Sequence, residues 1–262
     1  MIQFDIGQLH DWTNAFLWPF LRILALIGVA PVLGESTVPV RLKIGAAALM
    51  TVALAPTLGS PPAVSPGSYA GILLAAQQVL IGISLGLVMR LAFAAVLAAG
   101  EIIGLQMGLS FASFFDHGTG GNTAVLSRIM NLLAMLTFLS IDGHLLLLGC
   151  LAHSFDTMPI RTGWLDIKGW GVLFAWSSQV ATYGILLALP LIITLLTINL
   201  ALGILNRTAQ QLSVFAVGFP VSLLSGLVLL CIVLPQTAPF LARLFDSAYK
   251  AMARLSLALA GG

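Results

Sequence analysis

An all-α membrane protein built from kinked helical hairpins is the fold this sequence predicts, and three observations carry the prediction. Of 262 residues, 59% are apolar and 8% charged, with a mean hydropathy of +1.06; a soluble domain would have roughly 45–50% and about 25%. Uncharged apolar runs near the roughly 20 residues that cross a bilayer as helix recur along the chain. Pro190 and Pro220 fall inside the two longest runs, where proline removes a backbone hydrogen bond and bends the rod. The net charge of +2, from 11 Lys plus Arg against 9 Asp plus Glu, leaves too few cations for a phosphate-neutralising surface, which excludes nucleic acid as a partner.

The elements follow in chain order. The leader MIQFDIGQLHDW holds Asp5 and Asp11 but no Lys or Arg, so it lacks the basic region of a cleavable signal, and the first span is expected to stay in the mature protein. Apolar runs then occupy Trp12 to Leu33, Leu42 to Leu58 and Tyr69 to Met89. After Arg90 the apolar character resumes from Leu91 to about Phe115, with Glu101 in its middle. Ile129 to Leu151 carries Asp142 and His144, and Gly169 to Asn206 and Thr208 to Ala242 are uncharged runs separated by Arg207. The connectors are too short to link soluble domains, and no short-period repeat is present.

Lys and Arg follow the positive-inside rule at first, with an N-terminus facing out, but later occur at almost every boundary. Either the proline-containing runs fold back as bent hairpins, or several helices are surrounded by sister subunits instead of lipid. Arg22 sharpens the choice, because an arginine near the centre of a span costs roughly 2.5–3.5 kcal/mol on insertion scales. It either snorkels to an interface beside Trp12 and Trp18 or is paired in a protein-lined interior.

Gly82 and Gly86 form one small-xxx-small step, and Gly100, Gly104 and Gly108 a double one. Such stripes let helix backbones approach closely, within the chain or across a subunit seam. Glu101, flanked by these glycines, needs a cation or donor; Arg90, eleven residues earlier, is one choice, and Arg207 is a further charge set among apolar runs. Phe111, Phe114 and Phe115 share a helical face, with Met107 one turn earlier, just before the glycine-rich stretch that ends at Thr123. They suit an aromatic belt, or a plug that closes a narrow pore by excluding water. Asp142-Gly-His144 has no identifiable nucleophile, and HExxH, GxSxG and Walker patterns are absent, so no enzyme is expected. Cys150 and Cys231, 81 residues apart without a CxxC pattern, read as free thiols. No cofactor or metal site is expected.

Four stretches together resemble one family. They are Arg22-Ile-Leu-Ala-Leu-Ile-Gly-Val-Ala-Pro31 with Val38-Pro39-Val-Arg41-Leu-Lys43, then Gly100-Glu-Ile-Ile-Gly-Leu-Gln-Met-Gly-Leu-Ser-Phe-Ala112, then Asp142-Gly-His144, and Leu205-Asn-Arg207 with Gln211-Leu, Phe215 and Gly218-Phe-Pro220. Their order and the overall length resemble the FliR family of flagellar biosynthetic proteins, relatives of the export-apparatus proteins of injectisomes. One departure is Thr208-Ala-Gln210-Gln211-Leu, where the family usually has proline before Gln-Leu. The resemblance implies a non-enzymatic, pore-forming subunit of the flagellar type III export gate in the bacterial inner membrane and flagellar basal body. It would pack its helices into a multi-subunit assembly with FliP and FliQ, contact FlhB and membrane lipid, and pass unfolded flagellar substrates. Within a single domain, 1–262, residues 1–165 would be FliP-like, with a plug loop at 107–123, and 169–262 a FliQ-like helical hairpin. Met107, Phe111, Phe114 and Phe115 would form the plug, and Arg22, Arg90, Glu101 and Arg207 would be buried charges. A secondary transporter or ion channel subunit is the alternative, although no repeat relates the two halves.

Overall fold

The computed structural model describes residues 6–59, 62, 64–109, 125–163, 165–208 and 214–261. Among them the chain is helical, without strands: α1 (Ile6–Val29), α2 (Val40–Leu54) with a single 3-10 turn at Ala55–Thr57, α3 (Tyr69–Gln106), α4 (Val125–Ser140), α5 (Gly143–Thr157), α6 (Lys168–Thr208) and α7 (Val214–Ala260). Five helices are long and apolar enough to cross a membrane, and a sixth crossing results if α4 and α5, bent by 67° at their junction, count as one. This is an all-α membrane protein.

Three boundaries differ from the sequence expectation. Arg90 does not interrupt α3, because arginine is a good helix former and its side chain is exposed. The proline runs do not fold back either. Pro190 lies inside the 41-residue α6, and Pro220, Pro235 and Pro239 inside the 47-residue α7. At about 1.5 Å per residue their contour lengths along the helix are roughly 62 and 70 Å, against roughly 30 Å for the hydrocarbon core of a bilayer. Finally, α7 continues past Ala242 as an amphipathic helix. Ala248, Met252, Leu255 and Leu259 are buried on one side, while Arg243, Asp246, Lys250 and Arg254 are exposed on the other. Lys250 and Asp246 pair there at 2.6 Å.

Two compact units divide the chain. The first contains Met1–Leu91, Asp142–Ser177 and Asp246–Gly262. Its core gathers Ile23 and Leu26 of α1, Ile81 and Leu85 of α3, Leu147 and Leu151 of α5, and Leu255 of α7. Polar ties join helices of this unit: Trp176 Nε1 of α6 donates to the Val88 carbonyl of α3 at 2.9 Å, and Tyr249 Oη of α7 to the Gly143 carbonyl of α5 at 2.8 Å. Lys43 Nζ donates to the carbonyls of Gly34 and Glu35 at 2.8 and 2.9 Å, tying the start of α2 to the turn after α1. Beyond that tie α2 leaves most of its apolar surface open, with Val40, Leu42, Leu49 and Val52 exposed.

The second unit contains Ala92–Ile141 and Ser178–Phe245. At its centre Phe93, Phe138 and Phe245 form a ring cluster with centroids 5.1 to 5.6 Å apart, one pair stacked and two edge-to-face. Between α6 and α7, Ser222 Oγ donates to Asn199 Oδ1 at 2.7 Å. The outer sides of this helix pair are apolar and open, as at Ile193, Leu196 and Leu200 of α6 and Leu224, Leu227 and Val228 of α7.

Candidate functional site

Arg22 is fully buried, on the face of α1 that also buries Trp18, Leu26 and Ala30 at steps of four residues. Its Nε donates to Gln78 Oε1 of α3 at 2.8 Å. Nη1 donates to the carbonyl and the hydroxyl of Ser154 at 2.9 and 3.2 Å, and Nη2 to the Met158 carbonyl at 2.9 Å. The guanidinium carbon also lies 4.2 Å from the centroid of the Phe155 ring. Met158 is the residue that ends α5. The last carbonyls of a helix have no partner within the helix, and they carry the negative end of its dipole. Arg22 therefore caps α5. Carbonyls, an amide, a hydroxyl and an aromatic face together stand in for a counter-carboxylate and offset the loss of water. The snorkelling alternative is corrected: the side chain stays inside the protein because the end of α5 meets it there. Sequence reasoning missed Gln78, Ser154, Phe155 and Met158. Only Gln77-Gln78, an amide pair in an otherwise apolar run, offered a signal.

The glycine stripes take different roles along α3. A Cβ at Gly82 would run into the Arg22 carbonyl oxygen, and one at Gly86 would come within 3.1 Å of the Leu26 carbonyl oxygen and Val29 Cβ. These two glycines seat α3 on α1, with both helices running in the same direction. Gly100 seats α3 on α4: a Cβ there would lie 2.5 Å from Ser127 Cα, and Ser127 Oγ donates to the Leu97 carbonyl at 3.1 Å. Gly104 is buried but looser, with Leu126 Cβ at 3.9 Å from a Cβ built there. Gly108 is the stop of α3. Its φ is +79°, Leu109 N donates to the Gly104 carbonyl at 3.0 Å, and Gly108 N to the Leu105 carbonyl at 3.1 Å. That pair of bonds around a left-handed glycine closes a helix end, so the helix stops at Gln106 well short of Phe115.

Met107 lies at the same helix end. It is buried, and its side chain fills the notch at Gly226 of α7, where a Cβ would lie 2.5 Å from Met107 Cγ. It is a core contact at the end of α3. Phe111, Phe114 and Phe115 lie outside the described residues. Of the four charges expected to be buried, the chain itself buries only Arg22; Arg90, Glu101 and Arg207 are exposed. Eleven helical residues span about 16 Å, too far for Arg90 to pair directly with Glu101.

The Asp142-Gly-His144 stretch is a bend. Asp142 takes a left-handed φ of +55° ahead of α5, a conformation aspartate tolerates better than most side chains. Among the described residues no group of three or more His, Cys, Asp or Glu is arranged to hold a metal ion. The closest imidazole–carboxylate pair, His153 and Asp156 at 3.4 Å, is exposed on successive turns of α5.

The amino-acid sequence is similar to those of flagellar biosynthetic proteins from several bacteria. The chain is 48% identical over 253 residues to the flagellar biosynthetic protein FliR of Escherichia coli strain K12, covering 97% of both chains. It is 47% identical to FliR of Pectobacterium carotovorum over 254 residues, again 97% of both. To FliR of Bacillus subtilis strain 168 it is 30% identical over 266 residues, covering 98% of this chain and 99% of that one. The family described as bacterial export proteins, family 1, matches residues 13–248. With a shared length, the family pattern running through nearly every helix and up to 48% identity to the relatives named here, this chain belongs to family 1 of the bacterial export proteins, among the flagellar biosynthetic FliR proteins.

Proposed function

We propose that this membrane protein is a structural, pore-forming subunit of the flagellar type III export gate. It assembles with FliP and FliQ, contacts FlhB, and conducts unfolded flagellar substrates across the inner membrane at the flagellar basal body. The near-full-length identity to FliR proteins carries the reading. Its physical support is the open apolar surface of α2, α6 and α7, which is far more than one chain covers by itself. Such faces suit helices that pack against sister subunits. In this arrangement residues 1–165 act as the FliP-like part and 169–262 as the FliQ-like hairpin. The chain is not a catalyst; the proton gradient and a partner ATPase drive transport.

Phe111, Phe114 and Phe115 act as a hydrophobic plug that keeps the resting pore dry. Met107, seated against Gly226, holds the helix end from which that segment departs. The deciding experiment is co-expression with the partner subunits, mild-detergent purification and a mass measurement of the complex. A multi-subunit particle is expected. A lone monomer that drives proton-dependent solute uptake in vesicles would overturn the reading in favour of a secondary transporter. Replacing the three phenylalanines with alanine should make the assembled gate leak ions, and unchanged membrane conductance would remove the plug.

A further inference from the structure

We propose that the outward stripe of α3 from Ala94 to Leu105 is the seat of a partner helix that is apolar except for a basic residue, which meets Glu101. This rests on the reading of the chain as a gate subunit. Ala94, Leu97, Ala98, Glu101 and Leu105 are all exposed, and their spacing puts them on one side of the helix. The opposite side, with Phe93, Val96, Gly100, Ile103 and Met107, is buried in the chain's own core. Glu101 is the single charge on the stripe, and among the described residues it makes no hydrogen bond or ion pair.

Two properties of Glu101 select the occupant. Acyl chains solvate a carboxylate poorly, which disfavours lipid against this stripe. The residue also lies about a turn and a half from the C-terminal end of α3, where the helix dipole opposes an anion. Covering it by a neutral helix would add to that opposition, whereas a Lys or Arg from the partner relieves both. The neighbouring alanines and leucines offer no further polar group for water, as a wetted wall would. The complementary surface is therefore an apolar helix with a basic side chain at the level of Glu101.

The test uses the co-expressed complex. A photo-crosslinking residue at Leu105 should form an adduct with a partner chain, mapped by mass spectrometry to an apolar segment containing Lys or Arg. Glu101→Lys should lower co-purification at least about tenfold through like-charge repulsion, and Glu101→Gln should lower it less. Replacing the mapped basic residue with Glu should restore assembly of Glu101→Lys. Adducts to lipid alone would overturn the proposal, as would wild-type assembly of Glu101→Lys. So would labelling of Glu101→Cys by a membrane-impermeant thiol reagent in the assembled complex, which would mark a wetted wall. If the unmodified chain captures no partner, the gate reading fails with it; if it assembles and Glu101→Lys assembles equally well, only this surface fails.

Discussion

Over 18-residue apolar windows α3 and α7 are almost equally hydrophobic, with mean hydropathies of 2.3 and 2.2, yet 61% of the first window is buried by the chain itself and only 11% of the second. The difference lies in shape. In α3, Gly82, Gly86 and Gly100 remove the side chains that would hold neighbouring backbones apart, so α1 and α4 close onto it. The apolar part of α7 instead presents Leu224, Leu227, Val228 and Ile232 outward, and its buried Gly226 receives one methionine. In an apolar solvent greasiness brings no two helices together, and close backbone approach decides which faces pair. The contrast separates a helix that organises its own chain from one whose surface is left for other molecules.

The contrast can be broken at several points. Arg22→Met would leave Gln78 Oε1 and the Met158 carbonyl without the guanidinium donor that joins α1 to α3 and to the end of α5, a loss of about 1–3 kcal/mol for each buried acceptor left unsatisfied. The expected result is a chain that aggregates on mild-detergent extraction, and a monodisperse Arg22→Met peak on gel filtration would contradict the capping role. Gly82→Val should destabilise by about 1–3 kcal/mol through overpacking against the Arg22 backbone, read as a lower melting temperature in detergent. At Gly104, by contrast, the space is open, and Gly104→Ala should stabilise the isolated chain by up to about 1 kcal/mol through helix propensity. A fall in its melting temperature would show that this position is as tight as Gly82. The smallest effect belongs to α7: Leu227→Ser should change the isolated chain by no more than about 0.5 kcal/mol while reducing co-purification with partners. Equal loss in both measurements would remove the distinction between the two helices.

Much of this architecture is legible in the residues. The all-helical membrane class follows from the apolar runs, and the close approach at Gly82, Gly86 and Gly100 follows from glycines spaced by four. The end of α3 was hidden because Gly108 continues the same spacing; a helix-stop glycine and a packing glycine look identical until the backbone φ is known. Arg22 reads as costly in a span, but half of its acceptors are backbone carbonyls, which every residue carries and no motif announces. Exposure of Glu101 was equally hidden, since small neighbours permit either burial or display. The continuation of α7 through Arg243, Lys250 and Arg254 was masked by reading charge as a boundary, although apolar residues persist on one side of the helix.

The Arg22 cap also sets a timetable for biogenesis. Its acceptors Gln78, Ser154 and Met158 lie 56, 132 and 136 residues later in the chain. At a synthesis rate of about 5–20 residues per second, α1 waits roughly 7–27 s for the last of these acceptors, at the end of α5, to emerge. During that interval α1 carries the insertion cost of a partly matched arginine, which a hydrated or protein-lined berth lowers.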